Sequence, residues 1–337
     1  MRPLRRIDSA EQTPLSDPFK PNLPYQSGLQ LQVRRHIPPL PFGRGYQRPQ
    51  RHQPTRFEDL LDRIPSEYCF QNPPPSTAPH PDPSIHTLKV VKELATRDGR
   101  GPQVVCCQLD QQPGYFVAKI FDPLYYAWNL EDVVYLADRH YSCEAAAYGH
   151  IQRVGIDGKY IPRYHGCWTF EVHLANQPDK KRKVRMILMD YIPDSTMYSL
   201  LTTDQVDKFS PDTRLDILAQ AMETYCWLEF FGIVQNDFAP RNIMISTEQR
   251  VTLIDLSHSY VTGLPYSDPP FRIERKRPRS PIDVFHGVCD SEFDCWVPEG
   301  YQSKAVFRQW METRWGKSEA FDPYPVYLKD PERFLVV

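Results

Sequence analysis

Two short, β-branched runs, Ile243-Met244-Ile245 and Val251-Thr252-Leu253-Ile254, flank a polar stretch containing Thr247-Glu248-Gln249-Arg250. Runs of that length, so spaced, close as a tight antiparallel hairpin. The polar loop before the hairpin carries Asp237 and Asn242, and the end of its second strand delivers Asp255. Two carboxylates and an amide oxygen therefore gather on the rim of one rigid element. An oxygen-only, partly open set of that kind suits magnesium, a hard cation that keeps several waters.

Upstream, Ser210-Pro211-Asp212 makes a helix start from an N-cap, proline at the first helical position and an acid favoured by the dipole. Leu215, Leu218, Met222 and Tyr225 continue one apolar face, and Gly232 ends the helix with a left-handed cap. That long buried helix supports the polar loop.

Further toward the N-terminus the pattern is strand-like. Ile85–Leu94 and Val104–Leu109 alternate around the turn Arg97-Asp98-Gly99-Arg100-Gly101-Pro102, and Tyr115–Ile120 follows the turn Gln112-Pro113-Gly114. Three sequential antiparallel strands form a meander with Lys119 near its middle. Taken alone, Lys119 reads as a solvated outer-face residue. Asp132–Val154 is helical, with Glu144 among alanines on a small-residue face; it is either a partly exposed carboxylate or one that needs a partner. Strands His165–Leu174 and Val184–Tyr191 come next. The run Lys180-Lys181-Arg182-Lys183 between them reads as a solvated hairpin tip ahead of a nuclear address. Met189-Asp190-Tyr191-Ile192-Pro193-Asp194 then leaves the sheet.

Half of the 34 prolines lie in residues 1–84, which read as a disordered proline-rich tail. One short helix is expected there, over Phe57–Ile64, stopped by Pro65. Arg35-His36-Ile37-Pro38-Pro39-Leu40-Pro41 fits a polyproline-II ligand for an SH3-type partner, a pattern also common in proline-rich tails by chance. After Ser257 the chain is irregular and proline-rich to about Pro298, with an exposed basic run from Arg272 to Arg279. A last amphipathic helix covers Ser303–Trp315.

The order of these elements resembles the protein-kinase-like superfamily, which includes the eukaryotic protein kinases and the aminoglycoside and choline kinases. The resemblance covers Ile85–Ser257. It rests on the lysine strand, the glutamate helix, the D-x-x-x-x-N loop after a long helix, and an aspartate closing the following hairpin. It implies an α+β, two-lobed fold: a small antiparallel-sheet N-lobe over 85–192 and a mostly helical C-lobe over 193–337. It implies ATP and Mg2+ as cofactors. By the same resemblance Asp237 orients the acceptor hydroxyl, Asn242 and Asp255 hold the metal, and Lys119, paired with Glu144, neutralises phosphate charge. Gly99 and Gly101 would cover the phosphates, and Met189, Asp190, Tyr191 and Ile192 would line the adenine pocket. The departures are Gln235 and Asn236 ahead of the aspartate, Leu256-Ser257 after Asp255, a thin glycine loop, and no A-P-E segment.

The expected activity is transfer of the ATP γ-phosphate to a hydroxyl acceptor, protein or small molecule. The alternative is an inactive, nucleotide-binding scaffold. A net charge of −2 predicts no nucleic-acid or membrane partner. Eight cysteines without a C-x-x-C pair point to a reducing compartment, hence an intracellular, cytoplasmic or nuclear protein. Met1–Arg6 is basic, but Ile7–Glu11 interrupts any leader-like apolar run.

Overall fold

The computed structural model describes residues 17–47, 54–128, 131–174, 177–269, 274–286 and 291–324. The leader reading at Met1–Glu11, Arg272 and Cys289 lie outside them. The chain divides into two compact units.

The first unit takes residues 1–39, 49–141 and 166–188. It holds β1 (Gln30–Arg35), α1 (Phe57–Leu60), α2 (Pro65–Gln71), β2 (Ile85–Ala95), β3 (Gln103–Leu109) and β4 (Phe116–Phe121). The start of α3 (Val133–Val154) and most of β5 (Tyr164–Leu174) and β6 (Gln177–Asp190) complete it. Its six strands close into an antiparallel barrel in the order β1-β2-β3-β4-β6-β5. The two-lobed kinase-like fold expected from the motif order is therefore corrected: the sheet is a closed barrel, not an open N-lobe sheet. Closure depends on β1, which pairs with β2 through Leu31↔Leu88 and with β5 through Arg35↔Trp168. A closed barrel leaves no edge strand with unpaired backbone groups.

For the described residues 17–47 and 54–84, the reading of residues 1–84 as a disordered tail is corrected for the same reason. The alternation Leu31, Val33 buries one face of β1 in the barrel core beside Leu88, Val90, Val105, Ala118, Ile120, Val184 and Met186. Tyr25, also from the presumed tail, is fully buried. Pro65 does not stop a helix; it occupies the first turn of α2, where its missing N–H costs nothing. The presumed polyproline ligand is in part strand. Arg35 lies in β1 with its guanidinium over the Trp168 ring at 4.7 Å, and the His36 amide donates to the Cys167 carbonyl at 2.9 Å.

The basic run Lys180–Lys183 is likewise not a solvated tip, because β6 continues through it. Lys181 and Lys183 are exposed, while Arg182 shares the buried face of Val184 and Met186. Its guanidinium pairs with the buried Asp122, which also accepts the Tyr25 hydroxyl at 2.5 Å and the Leu124 amide at 3.2 Å. Burial, the largest single influence, pulls the Arg182 guanidinium down, but the charge and hydrogen bond of Asp122 together with the nearby Tyr25 and Tyr125 hold the group above its ordinary range.

The second unit takes residues 40–48, 142–165 and 189–337. Its elements are the rest of α3, β7 (Ser195–Thr196), α4 (Met197–Thr202), α5 (Pro211–Phe230), β8 (Ile233–Val234), β9 (Ile243–Ile245), β10 (Val251–Leu253), β11 (Tyr260–Val261), α6 (Pro281–Val284) and α7 (Lys304–Trp315). As the sequence predicts, Ser210 caps α5, its hydroxyl accepting from the Thr213 amide at 3.2 Å. Leu215, Ile217, Leu218, Ala219, Ala221 and Met222 are all buried, so α5 is a central helix with apolar residues on more than one face. Residues 40–47 belong to this unit: the Val261 amide donates to Tyr46 Oη at 3.0 Å, and the Asp268 amide to the Gly45 carbonyl at 3.0 Å. No helix among the described residues is long and apolar enough to cross a membrane.

Candidate functional site

The second unit assembles the polar loop from three local devices. Gly232, at φ 90°, ends α5 and turns the chain into β8. β8 pairs with β11 through Val234↔Tyr260 and Ile233↔Val261. β9 and β10 pair as the expected hairpin, Ile243↔Leu253 to Ile245↔Val251. Residues 235–242 and 254–259 are thus pinned at both ends by two short ladders.

Between these ladders a continuous hydrogen-bonded path joins the three candidate residues. Asn242 Nδ2 donates to the Asp237 carbonyl and to Asp237 Oδ2, each at 2.9 Å. The Asn242 carbonyl accepts the Ile254 amide at 2.9 Å, which seats the next residue, Asp255. Asp255 has φ 63°, a left-handed conformation that costs most L-residues energy and that aspartate tolerates better than most. Strain of this kind persists where the surroundings over-determine it, and such positions cluster at functional sites. Asp255 Oδ1 accepts the Ser257 amide at 3.1 Å and the Ser257 hydroxyl.

Glu144 is fully buried on the part of α3 that belongs to this unit. The neighbouring Tyr148 phenol is held well above its usual range, first by burial and then by the negative charges of Glu144, Asp255 and Asp157. Glu144 and Asp255 therefore act on one common side chain. Tyr148 Oη donates to Met189 Sδ at 3.3 Å, which places the adenine-pocket candidate Met189 against the same residue.

The other candidates lie against groups of the protein itself. The Asp190 amide, offered for adenine, donates to the Arg163 carbonyl at 2.9 Å, and its carboxylate meets His165 Nε2 at 2.6 Å. Tyr191 and Ile192 are half-buried beside it. In the first unit, Gly99 and Gly101 have the positive φ that a glycine turn needs, but both amides point at the Tyr125 carbonyl, at 3.1 and 3.4 Å. Those amides are thus engaged by the backbone of the same unit. Gln103, buried in β3, braces the turn by donating to the Arg97 and Gly101 carbonyls. Lys119 also lies in the first unit. It is buried rather than solvated, on the face of β4 opposite Ala118 and Ile120, with Nζ 5.7 Å from the Phe121 ring centroid.

Arg241 is a site residue that the sequence reading missed. Its guanidinium pairs with Asp237 Oδ1 and, at 2.8 Å, with Glu292. The spacing of four between Asp237 and Arg241 was a usable signal; nothing local announces Glu292. Both Asp237 oxygens are therefore engaged, Oδ1 by Arg241 and Oδ2 by Asn242, so the carboxylate is held in one orientation. Phe238, next along the loop, packs on Tyr225, Phe285 and Phe293 at 5.2–5.3 Å between centroids.

The donor set fits a hard cation in one respect and limits it in another. Asp237, Asn242 and Asp255 offer oxygen only. Among the described residues no group of three His, Cys, Asp or Glu side chains could hold a metal by itself. Such a site suits a cation that keeps waters and shares its shell with a phosphate-bearing ligand.

No protein-family model matches the chain, and no curated protein matches it either.

Proposed function

We propose that the second unit binds magnesium-complexed ATP and transfers its γ-phosphoryl group to a hydroxyl acceptor. The closed barrel removes the fold argument for this activity, so the reading rests on the site. One observation carries it: the hydrogen-bonded path Asp237–Asn242–Ile254–Asp255, ending on a left-handed aspartate. Phosphoryl transfer asks a protein mainly for placement and charge neutralisation, and this path supplies placement.

In this reading Asn242 and Asp255 hold the cation, which when bound neutralises phosphate charge. Asp237 orients the acceptor hydroxyl and takes its proton. Arg241 and Asn242 fix the Asp237 carboxylate so that it meets the hydroxyl without reorganising. The acceptor is a protein serine or threonine or a small hydroxyl compound. The seven cysteines among the described residues are all free thiols, which supports a reducing, intracellular setting.

A second reading, nucleotide binding without transfer, is favoured by the Arg241 guanidinium on Asp237, which occupies Oδ1 of the carboxylate that an acceptor hydroxyl would have to meet. Thermal shift with ATP and Mg2+ tests binding, because a ligand selective for the folded state raises the Tm. ATP consumption against pools of peptides and of small hydroxyl compounds tests transfer. A Tm rise with acceptor-dependent consumption supports the enzyme. A Tm rise without consumption supports the binding module, and no rise at millimolar ATP refutes both.

A further inference from the structure

The turn at Asp255 is held by two side chains to which the proposed chemistry assigns no part. Gln235 is 2% exposed, and its Nε2 donates to the carbonyls of Ile254 and Asp255 at 3.3 and 3.2 Å. Ser257, also buried, gives Asp255 Oδ1 both its amide and its hydroxyl. Leu256 between them is fully buried, and its carbonyl accepts the Ser259 hydroxyl at 2.6 Å, so the whole turn is anchored from inside.

We propose that Gln235 and Ser257 are positioning residues that aim Asp255 at a divalent cation. This rests on the function proposed above. Gln235 restrains the backbone: its two hydrogen bonds to the Ile254 and Asp255 carbonyls hold a left-handed non-glycine residue against relaxation. Ser257 restrains the carboxylate, whose terminal torsion is otherwise broad. Two protons on Oδ1 direct a cation to Oδ2, so Asp255 serves as a single-oxygen ligand. One carboxylate oxygen, one amide oxygen and several waters suit octahedral Mg2+ or Mn2+. Ca2+ takes more oxygens and accepts both from one carboxylate. Ser257 is thus also a cation-selectivity residue.

The test is Mn2+ binding to the full chain in the presence of ATP, followed by electron paramagnetic resonance, with Ca2+ as competitor. Outer-shell partners typically control metal affinity by roughly 10–100-fold. Ser257→Ala and Gln235→Leu are expected to weaken Mn2+ by that range, and Ser257→Ala to narrow the preference over Ca2+. Ser257→Thr, which keeps the hydroxyl, should behave like wild type. Asp255→Asn, which tolerates the same backbone, should abolish binding. If wild type binds, Asp255→Asn does not, and the Ser257 and Gln235 variants match wild type, the positioning roles are overturned while the site stands. If wild type fails to bind, or Asp255→Asn binds normally, the functional reading falls and this inference with it. Should Gln235→Leu not fold, Ser257→Ala decides alone.

Discussion

Replacing Arg182 by methionine should destabilise the barrel unit more than any surface change. Asp122 is fully buried and Arg182 is 4% exposed at its side chain, so neither charge reaches water. Methionine keeps much of the volume but leaves the carboxylate held by the Tyr25 hydroxyl and the Leu124 amide without the guanidinium charge. Breaking one side of a buried pair costs about 3–5 kcal/mol, since the remaining charge is stranded. Against a total stability of about 5–15 kcal/mol, that is a large fraction. For a unit of this size the expected fall in Tm is roughly 6–20 °C. Urea unfolding of wild type, Arg182→Met, Asp122→Asn and the double variant forms a double-mutant cycle. In the double variant a neutral amide can still accept the Tyr25 hydroxyl, so the double variant should recover about 2 kcal/mol relative to Arg182→Met. A loss below about 1 kcal/mol for Arg182→Met, or a double variant no more stable than it, would refute the claim that the pair is a matched buried unit.

Three further outcomes follow from particular residues. Asp237→Asn should lower turnover by about 10²–10⁴ while the ATP-induced rise in Tm persists; wild-type turnover would remove Asp237 from proton transfer. His36 is half-buried between Tyr141 Oη at 2.7 Å and Thr77 Oγ1 at 3.0 Å. Burial, then the charges of Arg185, Lys183 and His80, lower its pKa to about 4. The unfolded imidazole, near 6.5, takes its proton first as pH falls, so stability is full above that pH and declines down to about pH 4. Discounted for partial solvent exposure, the loss is roughly 2 kcal/mol, and a urea midpoint independent of pH over that window in a His36→Gln variant is the expected control. Gly45 has φ 82°, and a Cβ there would stand 2.3 Å from the Tyr260 ring. Gly45→Ala should therefore cost about 2–4 kcal/mol from backbone strain and overpacking together, and an unchanged Tm would contradict the placement of residues 40–47 in the second unit.

Local order in this protein was legible in the chain itself. Alternation and glycine turns marked β2, β3 and β4 to within a residue or so. The Ser210 cap, the apolar spacing and Gly232 marked α5, and β-branched runs marked the β9–β10 hairpin that carries Asn242 toward Asp255. These signals work because backbone hydrogen bonding and turn chemistry act over a few residues. The same reasoning lost β1, although Leu31 and Val33 alternate, because proline-rich surroundings masked six residues that are stable only when paired on both sides. Closure of the barrel, the Arg182–Asp122 pair across 60 positions and the Arg241–Glu292 pair across 51 are properties of tertiary structure. Periodicity states which face must be buried but not what buries it. Whether a charge such as Arg182 is solvated or matched depends on partners that only the folded chain brings within reach.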